Sequence, residues 1–160
     1  MDIHCEYTKL VKPKSLKPHP KNRNKHSEEQ IDRLAKILTY QGWRYPIKVS
    51  KRSGFITSGH GRVMAALKLD MKQVPVSVQA YESDEQEYAD VQSDNAIAAW
   101  SELDLSLISA DLGDLGPDFN IDLLGIKDFT LDFAAREFDP TENADPEEKH
   151  KQCPHCGGVL

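Results

Sequence analysis

The chain has 160 residues, 39% of them hydrophobic, which is room for one domain of ordinary size with appendages. No apolar run approaches the roughly 20 residues of a membrane-spanning helix and no signal-peptide pattern opens the chain, so the expectation is a soluble, cytoplasmic protein. Three cysteines, two of them in one Cys-x-x-Cys, do not make a disulfide framework.

The net charge of −6 conceals a division. Residues 1–80 hold 16 Lys/Arg against 6 Asp/Glu, a balance of +10, and residues 81–160 hold 4 against 20, a balance of −16. A basic half of this kind suits polyanions; an acidic half can repel them, mask the basic half or bind basic partners. The competing account is a solvated surface whose halves neutralise each other.

Tyr7, Leu10 and Val11 point to a first strand within residues 1–11. Residues 12–26 carry three prolines, six Lys/Arg and no apolar periodicity, the mark of an extended cationic loop. Lys17, Lys21, Arg23 and Lys25 are its candidate contacts to nucleic-acid phosphates, with plain solvation as the alternative.

Ser27 with Gln30 forms a capping pair for a helix whose apolar positions are Ile31, Leu34, Ala35 and Leu38, closed by Gly42. Glu28 and Glu29 suit the positive end of that helix, and a catalytic or metal-binding role for Glu28 is the alternative. Residues 46–50 and 54–57 read as a hairpin, residues 61–69 as a second helix, and alternating Val74, Val76 and Val78 as a further strand. The expected fold class is α+β, a small mixed sheet with helices over residues 1–81.

Beyond Tyr81 the pattern is helical: a capping pair at Asp84 and Glu87, helical stretches over 85–91, 94–100 and 101–112, and a short turn at 121–126. Residues 82–136 are thus expected to form a helical extension packed on the core. Residues 137–152 read as an acidic linker. Cys153 and Cys156 then give half of a zinc knuckle over residues 153–160, its glycine permitting the bend that aims both thiolates at one metal. The second pair is missing, which leaves a truncated site, one shared between chains, or one completed by His150 or His155; Cys5 with His4 is a more remote supply of ligands.

The stretch that organises the rest is Ser58-Gly59-His60-Gly61-Arg62, between an apolar strand and an alanine-rich helix. Such a turn leaves backbone N–H groups free at the positive end of a helix dipole, and Arg62 adds a permanently charged forked donor. It is a candidate phosphate seat formed by Ser58, Gly59, His60, Gly61 and Arg62. Gly-x-Gly turns also open helices that bind nothing, so the motif takes its weight from context.

The segments together resemble the ParB/sulfiredoxin superfamily, in its phage-type branch of ParB-like nuclease domains. The matching stretches are Asn24-Lys25-His26-Ser27-Glu28-Glu29-Gln30-Ile31, Gly42-Trp43-Arg44-Tyr45-Pro46-Ile47, Ser58 to Ala66, Val74-Pro75-Val76 and Asp94-Asn95, within residues 7–125. The resemblance implies a nucleotide- or nucleic-acid-handling domain. Partition proteins of the superfamily carry Gly-Glu-Arg-Arg at this turn and bind and hydrolyse CTP; sulfiredoxins carry Gly-Cys-His-Arg and use the cysteine. This chain has neither the glutamate nor the cysteine, so neither activity transfers, whereas Arg62 keeps the shared basic position. His60 is then a candidate phosphate donor or proton carrier. The branch is associated with DNA methyltransferases in phages, which implies a phage or prophage protein of DNA modification, replication or partition, with a methyltransferase as partner and a homodimer as one assembly. A Mg-dependent nucleotide hydrolase, kinase or nuclease, with His60 and Glu28 as candidate catalytic residues and a nucleoside triphosphate as cofactor or substrate, is the second reading. An acidic adaptor that docks a larger DNA-processing complex is the third.

Overall fold

The computed structural model describes residues 1–129; residues 130–160, with the acidic linker, Cys153, Cys156, His150 and His155, lie outside the described residues. The first helix, α1 (Glu28–Gln41), starts where Ser27 accepts the Gln30 N–H at 3.2 Å, as the capping pair predicts. It ends at Gly42, whose N–H reaches the Leu38 carbonyl at 2.9 Å. Ile31, Ala35 and Leu38 line its buried face.

Five strands form one mixed sheet: β1 (Lys9–Val11), β2 (Lys17–Pro18), β3 (Ile47–Ser50), β4 (Phe55–Ser58) and β5 (Val74–Gln79), in the order β1-β5-β3-β4-β2. β1 and β5 pair antiparallel, β5 and β3 parallel, β3 and β4 antiparallel, and β4 and β2 parallel. The β3–β4 register slips between Lys48 and Val49, so that Lys48 faces Ser58 and Val49 faces Ile56. A slip of this kind bends the strand and re-aims the side chains beyond it, here at the β4 end that leads into the glycine turn. The second helix, α2 (His60–Lys68), carries the chain from β4 to β5 and packs against α1. Its Ala65 and Ala66 are wholly buried, and their small side chains let the helix sit close to Trp43, Ile47, Ile56, Val74 and Val76 in the core.

The cationic stretch is more ordered than an extended loop. Pro13–Ser15 form a 3₁₀ turn, and Lys17–Pro18 pair with Phe55 and Ile56 as the edge strand β2. Proline is tolerated at that edge because no further strand needs its missing N–H.

Past the sheet, α3 (Asp84–Ala96) runs unbroken where two helical stretches were expected, and it tightens into a 3₁₀ turn at Ile97–Trp100. Nothing between Val91 and Asp94 is a helix breaker, so the apparent gap between stretches carries no stop signal. Its cap is Ser83, accepting the Gln86 N–H at 3.2 Å, and not Asp84; Gln86 in turn accepts the Glu82 N–H at 2.8 Å. The helix expected over 101–112 is α4 (Leu105–Leu115), begun four residues later because Asp104 takes the N–H groups of Ser106 and Leu107, each at 3.0 Å. A last 3₁₀ turn at Ile121–Leu124 is held to α1 by the Lys36–Asp122 ion pair at 3.0 Å and by the Arg33 guanidinium donating to the Ile126 carbonyl.

Candidate nucleotide and phosphate site

Gly59 caps α2 in the left-handed region, at φ 93°, with no side chain closing the helix end. Only glycine adopts that conformation without strain. A Cβ there would also lie 3.1 Å from Nη2 and 3.2 Å from Nε of Arg62, because the guanidinium folds back across the turn. At Gly61 the constraint is space: a Cβ would meet Leu34 Cδ1 at 3.0 Å and the His26 ring at 3.2 Å. Val63 is the first α2 residue whose N–H closes on the turn, reaching the Gly59 carbonyl at 3.0 Å. Among the described residues the N–H groups of His60, Gly61 and Arg62 have no acceptor.

His60, Gly61 and Arg62 line a cleft of about 230 Å³, with Asn22, Asn24, His26, Ser58, Asp94 and Asn95 among the other lining residues. Arg62 is half-buried in it, its Cζ 5.8 Å from the Tyr45 ring centroid. Burial pulls the pKa of the guanidinium down, and Asp94, Cys5 and Tyr45 oppose that pull. No carboxylate among the described residues comes within ion-pair distance of it. Arg62 is therefore held at the cleft without a direct ion-pair partner among the described residues, within the attractive field of Asp94.

His60 is fixed by a different bond. Its Nε2 accepts the backbone N–H of His19 at 3.2 Å, which leaves Nδ1 as the protonated nitrogen of the neutral ring. Burial, with the neighbouring His26 and His19 charges, pushes its pKa from 6.5 to about 4 against the pull of Asp94. At neutral pH His60 is an uncharged, half-buried ring, so any donation to a bound phosphate runs through Nδ1 and not through an imidazolium.

The cleft is framed by α3. Asp94 accepts the Ser58 hydroxyl at 2.7 Å and lies 3.5 Å from Lys48 Nζ. Glu87 is 3% exposed; it accepts the hydroxyls of Ser50 (2.6 Å) and Ser53 and faces His19 Nε2 at 3.4 Å. His19 Nδ1 accepts the Lys21 N–H at 3.1 Å, and Gln92 donates to the Lys21 carbonyl at 3.0 Å. The loop that supplies Asn22 and Asn24 is thereby tied to α3. Tyr81 donates to Asp90 at 2.6 Å and accepts from Thr57 at 3.0 Å; burial and Asp90 push its pKa up to about 12.

The structure brings Ser58, Gly59, His60, Gly61 and Arg62 together as one lining. Glu28 stands exposed in the first turn of α1 and does not line the cleft. Lys17, Lys21, Arg23 and Lys25 are exposed and do not line it. Lys21, Arg23 and Lys25 adjoin the lining residues Asn22 and Asn24 in the chain, Lys17 pairs with Phe55 in β2, and Lys21 Nζ lies 5.7 Å from the Tyr88 ring centroid. Among the described residues no group of three His, Cys, Asp or Glu side chains is placed to hold a metal, His4 and Cys5 included. Nor is any described helix long and apolar enough to cross a membrane. Reasoning from residues alone missed His19, Asn22 and Glu87. A histidine and an asparagine in a polar loop, and an acid in a first helical turn, carry no signal of their own; His26 and Asn95 were visible inside the matching stretches.

The chain matches the model of the ParB N-terminal domain over residues 2–95. It is 42% identical over 71 residues to the ParB-like nuclease domain-containing protein YnaK of Escherichia coli (strain K12), an alignment covering 44% of this chain and 80% of that protein. Its fold is similar to the C-terminally truncated chromosome-partitioning protein ParB from Caulobacter crescentus complexed with CTP-gamma-S, with a TM-score of 0.56 and 21% identity. That match covers 67% of this chain and 61% of the ParB chain, so the chain spans about three fifths of that structure. A Pnob8-like ParB-N domain aligns at a TM-score of 0.47 and 19% identity, covering 69% of this chain and 48% of that one. With more than half of its length in the family match, the chain belongs to the ParB N-terminal domain family.

Proposed function

We propose that this chain is a nucleotide- and nucleic-acid-binding protein whose Gly59–Arg62 turn receives phosphate. The observation that carries the reading is the set of N–H groups of His60, Gly61 and Arg62 without an acceptor among the described residues, beside a guanidinium that no described carboxylate pairs with directly. Backbone donors at a helix N-terminus and a forked cation are the elements from which phosphate sites are made. A cleft of about 230 Å³ is smaller than the 300–1,000 Å³ usual for whole ligands, so it suits the phosphate end of a nucleotide with the base lying outside. The Caulobacter ParB is complexed with CTP-gamma-S, which supports a nucleoside triphosphate as the ligand class.

Asp94 bears on the cofactor. Among the described residues it is the one carboxylate in the lining, and beside a phosphate it repels unless a cation intervenes. A single carboxylate fits Mg²⁺, which takes one or two protein oxygens and completes its shell with phosphates and water. Asp94, kept in place by Ser58 and Lys48, would hold such an ion, which would supply neutralisation of the phosphate charge.

The same carboxylate favours a second reading, Mg-dependent hydrolysis of a nucleotide or a nucleic acid, the latter suggested by the nuclease domain for which YnaK is named. A setting in phage DNA modification, replication or partition, with a methyltransferase as partner, rests on the superfamily resemblance. Isothermal titration of the full chain with each nucleoside triphosphate and Mg²⁺ tests the primary reading. Arg62→Ala is expected to weaken binding by about ten- to a hundredfold, since a charge-assisted bond is worth about 1.5–3 kcal/mol. Equal affinity in parent and variant defeats the assignment; phosphate or nicked DNA released in the same mixtures separates enzyme from binding module.

A further inference from the structure

At the other end of α2 lies a groove of about 530 Å³, lined by Lys12, Lys14, Lys72, Leu67, Met71 and Gln73 among others. It shares no residue with the phosphate cleft. Lys12 and Lys14 flank buried Pro13 in the 3₁₀ turn, so a rigid backbone presents them; Lys72 comes from the loop between α2 and β5. One acid, Asp70, also lines the groove, which leaves three cations to one carboxylate. These lysines are not needed as helix caps. The N–H groups of Leu69, Asp70 and Met71 already close on the carbonyls of Ala65, Leu67 and Ala66 at 3.0–3.1 Å, with Asp70 in the left-handed region at φ 49°.

The pairing of charges over the described residues is uneven. Arg33, Lys36, Lys48, Arg52 and Lys68 each hold a carboxylate. Among the described residues the Lys/Arg without such a partner are Arg44, Lys51 and Arg62, which lie elsewhere in the chain, together with Lys72 and the seven from Lys9 to Lys25. Those seven also follow a path. The segment leaves β1 at one edge of the sheet, passes the C-terminal end of α2 at Lys12 and Lys14, and enters β2 at the other edge. It then continues through Lys21, Arg23 and Lys25 beside the cleft at the N-terminal end of α2. The nine residues of α2 separate the two ends by about 13 Å, the span of about four phosphates along one strand of a duplex.

We propose that the Lys12–Lys14–Lys72 groove is a second anion site that grips the sugar–phosphate backbone of a nucleic acid and extends the Lys17–Lys25 loop into one continuous track. This rests on the nucleic-acid half of the proposed function and not on the nucleotide cleft. A tightly hydrated lysine is suited to such a role: it meets phosphate as a point charge without reading bases.

The experiment uses the full chain and labelled oligonucleotides, single- and double-stranded, with fluorescence anisotropy read over a range of salt. The triple variant Lys12→Ala/Lys14→Ala/Lys72→Ala is expected to bind at least tenfold more weakly. It should also lower the slope of log K against log salt by about two to three, at about 0.9 per lost duplex phosphate or 0.7 per single-strand phosphate. A matched variant, Lys36→Ala/Arg44→Ala/Lys51→Ala, removes equal charge elsewhere and should change the slope by less than one. Nucleotide affinity should be the same in the triple variant as in the parent, which also reports that the fold is kept. The form gripped is the one whose change in slope, divided by about 0.9 for duplex or about 0.7 for single strand, comes nearer to three contacts. If the parent binds neither oligonucleotide, the nucleic-acid reading falls and takes this inference with it. If the parent binds but the triple variant keeps its slope, or matches the control variant, the groove is wrong and the Lys17–Lys25 reading survives.

Discussion

Gly59→Ala separates the turn as a structural device from the turn as a binding site. At φ 93° an alanine sits in the left-handed region, at a cost of about 1–2 kcal/mol. Its Cβ would also crowd Arg62 Nη2 at 3.1 Å and Nε at 3.2 Å. The guanidinium is the mobile partner, so it moves instead of the core. The expected loss of stability is therefore about 1–2 kcal/mol, a fall of about 3–8 °C in Tm for a domain of this size. Displacing the guanidinium should remove most of its contribution to phosphate binding, about tenfold or more in affinity. Chemical denaturation followed by circular dichroism gives the first quantity, and calorimetric titration with a nucleoside triphosphate and Mg²⁺ gives the second. A variant with unchanged affinity but the expected loss of stability would show that Arg62 does not act from its position over Gly59. A variant unchanged in both would refute the strained turn itself.

Protonation of His60 should tax the fold in acid. Because its folded pKa lies near 4 and its ordinary value at 6.5, the unfolded chain binds more protons between those limits. Stability should fall as pH drops below about 6.5 and level off below about 4, by roughly 1–2 kcal/mol after allowance for partial solvent access. Urea titrations at several pH values should show this slope reduced in His60→Gln; an identical slope in parent and variant would contradict it. Glu87→Ala leaves the Ser50 and Ser53 hydroxyls and the His19 ring without their shared acceptor and should cost about 2–4 kcal/mol in denaturant midpoints, with a change below 0.5 counting against the network. Trp43→Ala empties a site with no exposure and should cost about 3–5 kcal/mol by the same measurement.

The parts of the fold legible in the sequence were those written in local code. Ser27 and Gln30 announced α1, the alternation of Val74, Val76 and Val78 announced β5, and the two glycines announced the turn. What stayed hidden depended on partners remote in the chain. Lys17–Pro18 has no strand character of its own and becomes β2 only because β4 offers a free edge. The ties of α3 to the site run through Ser58–Asp94, Ser50–Glu87 and Gln92–Lys21, separated by 36, 37 and 71 residues. No spacing rule reaches that far. His60 shows the limit for chemistry: its residue type suggested a group titrating near neutrality, but burial beside two other histidines reverses that property.

The most direct measurement is a two-dimensional ¹H–¹⁵N spectrum of the labelled chain titrated with a nucleoside triphosphate and Mg²⁺. The largest early shifts should fall on the amides of Gly59, His60, Gly61 and Arg62, with Asn95 following. Saturable binding whose shifts spare those four amides would contradict a phosphate seated at the start of α2.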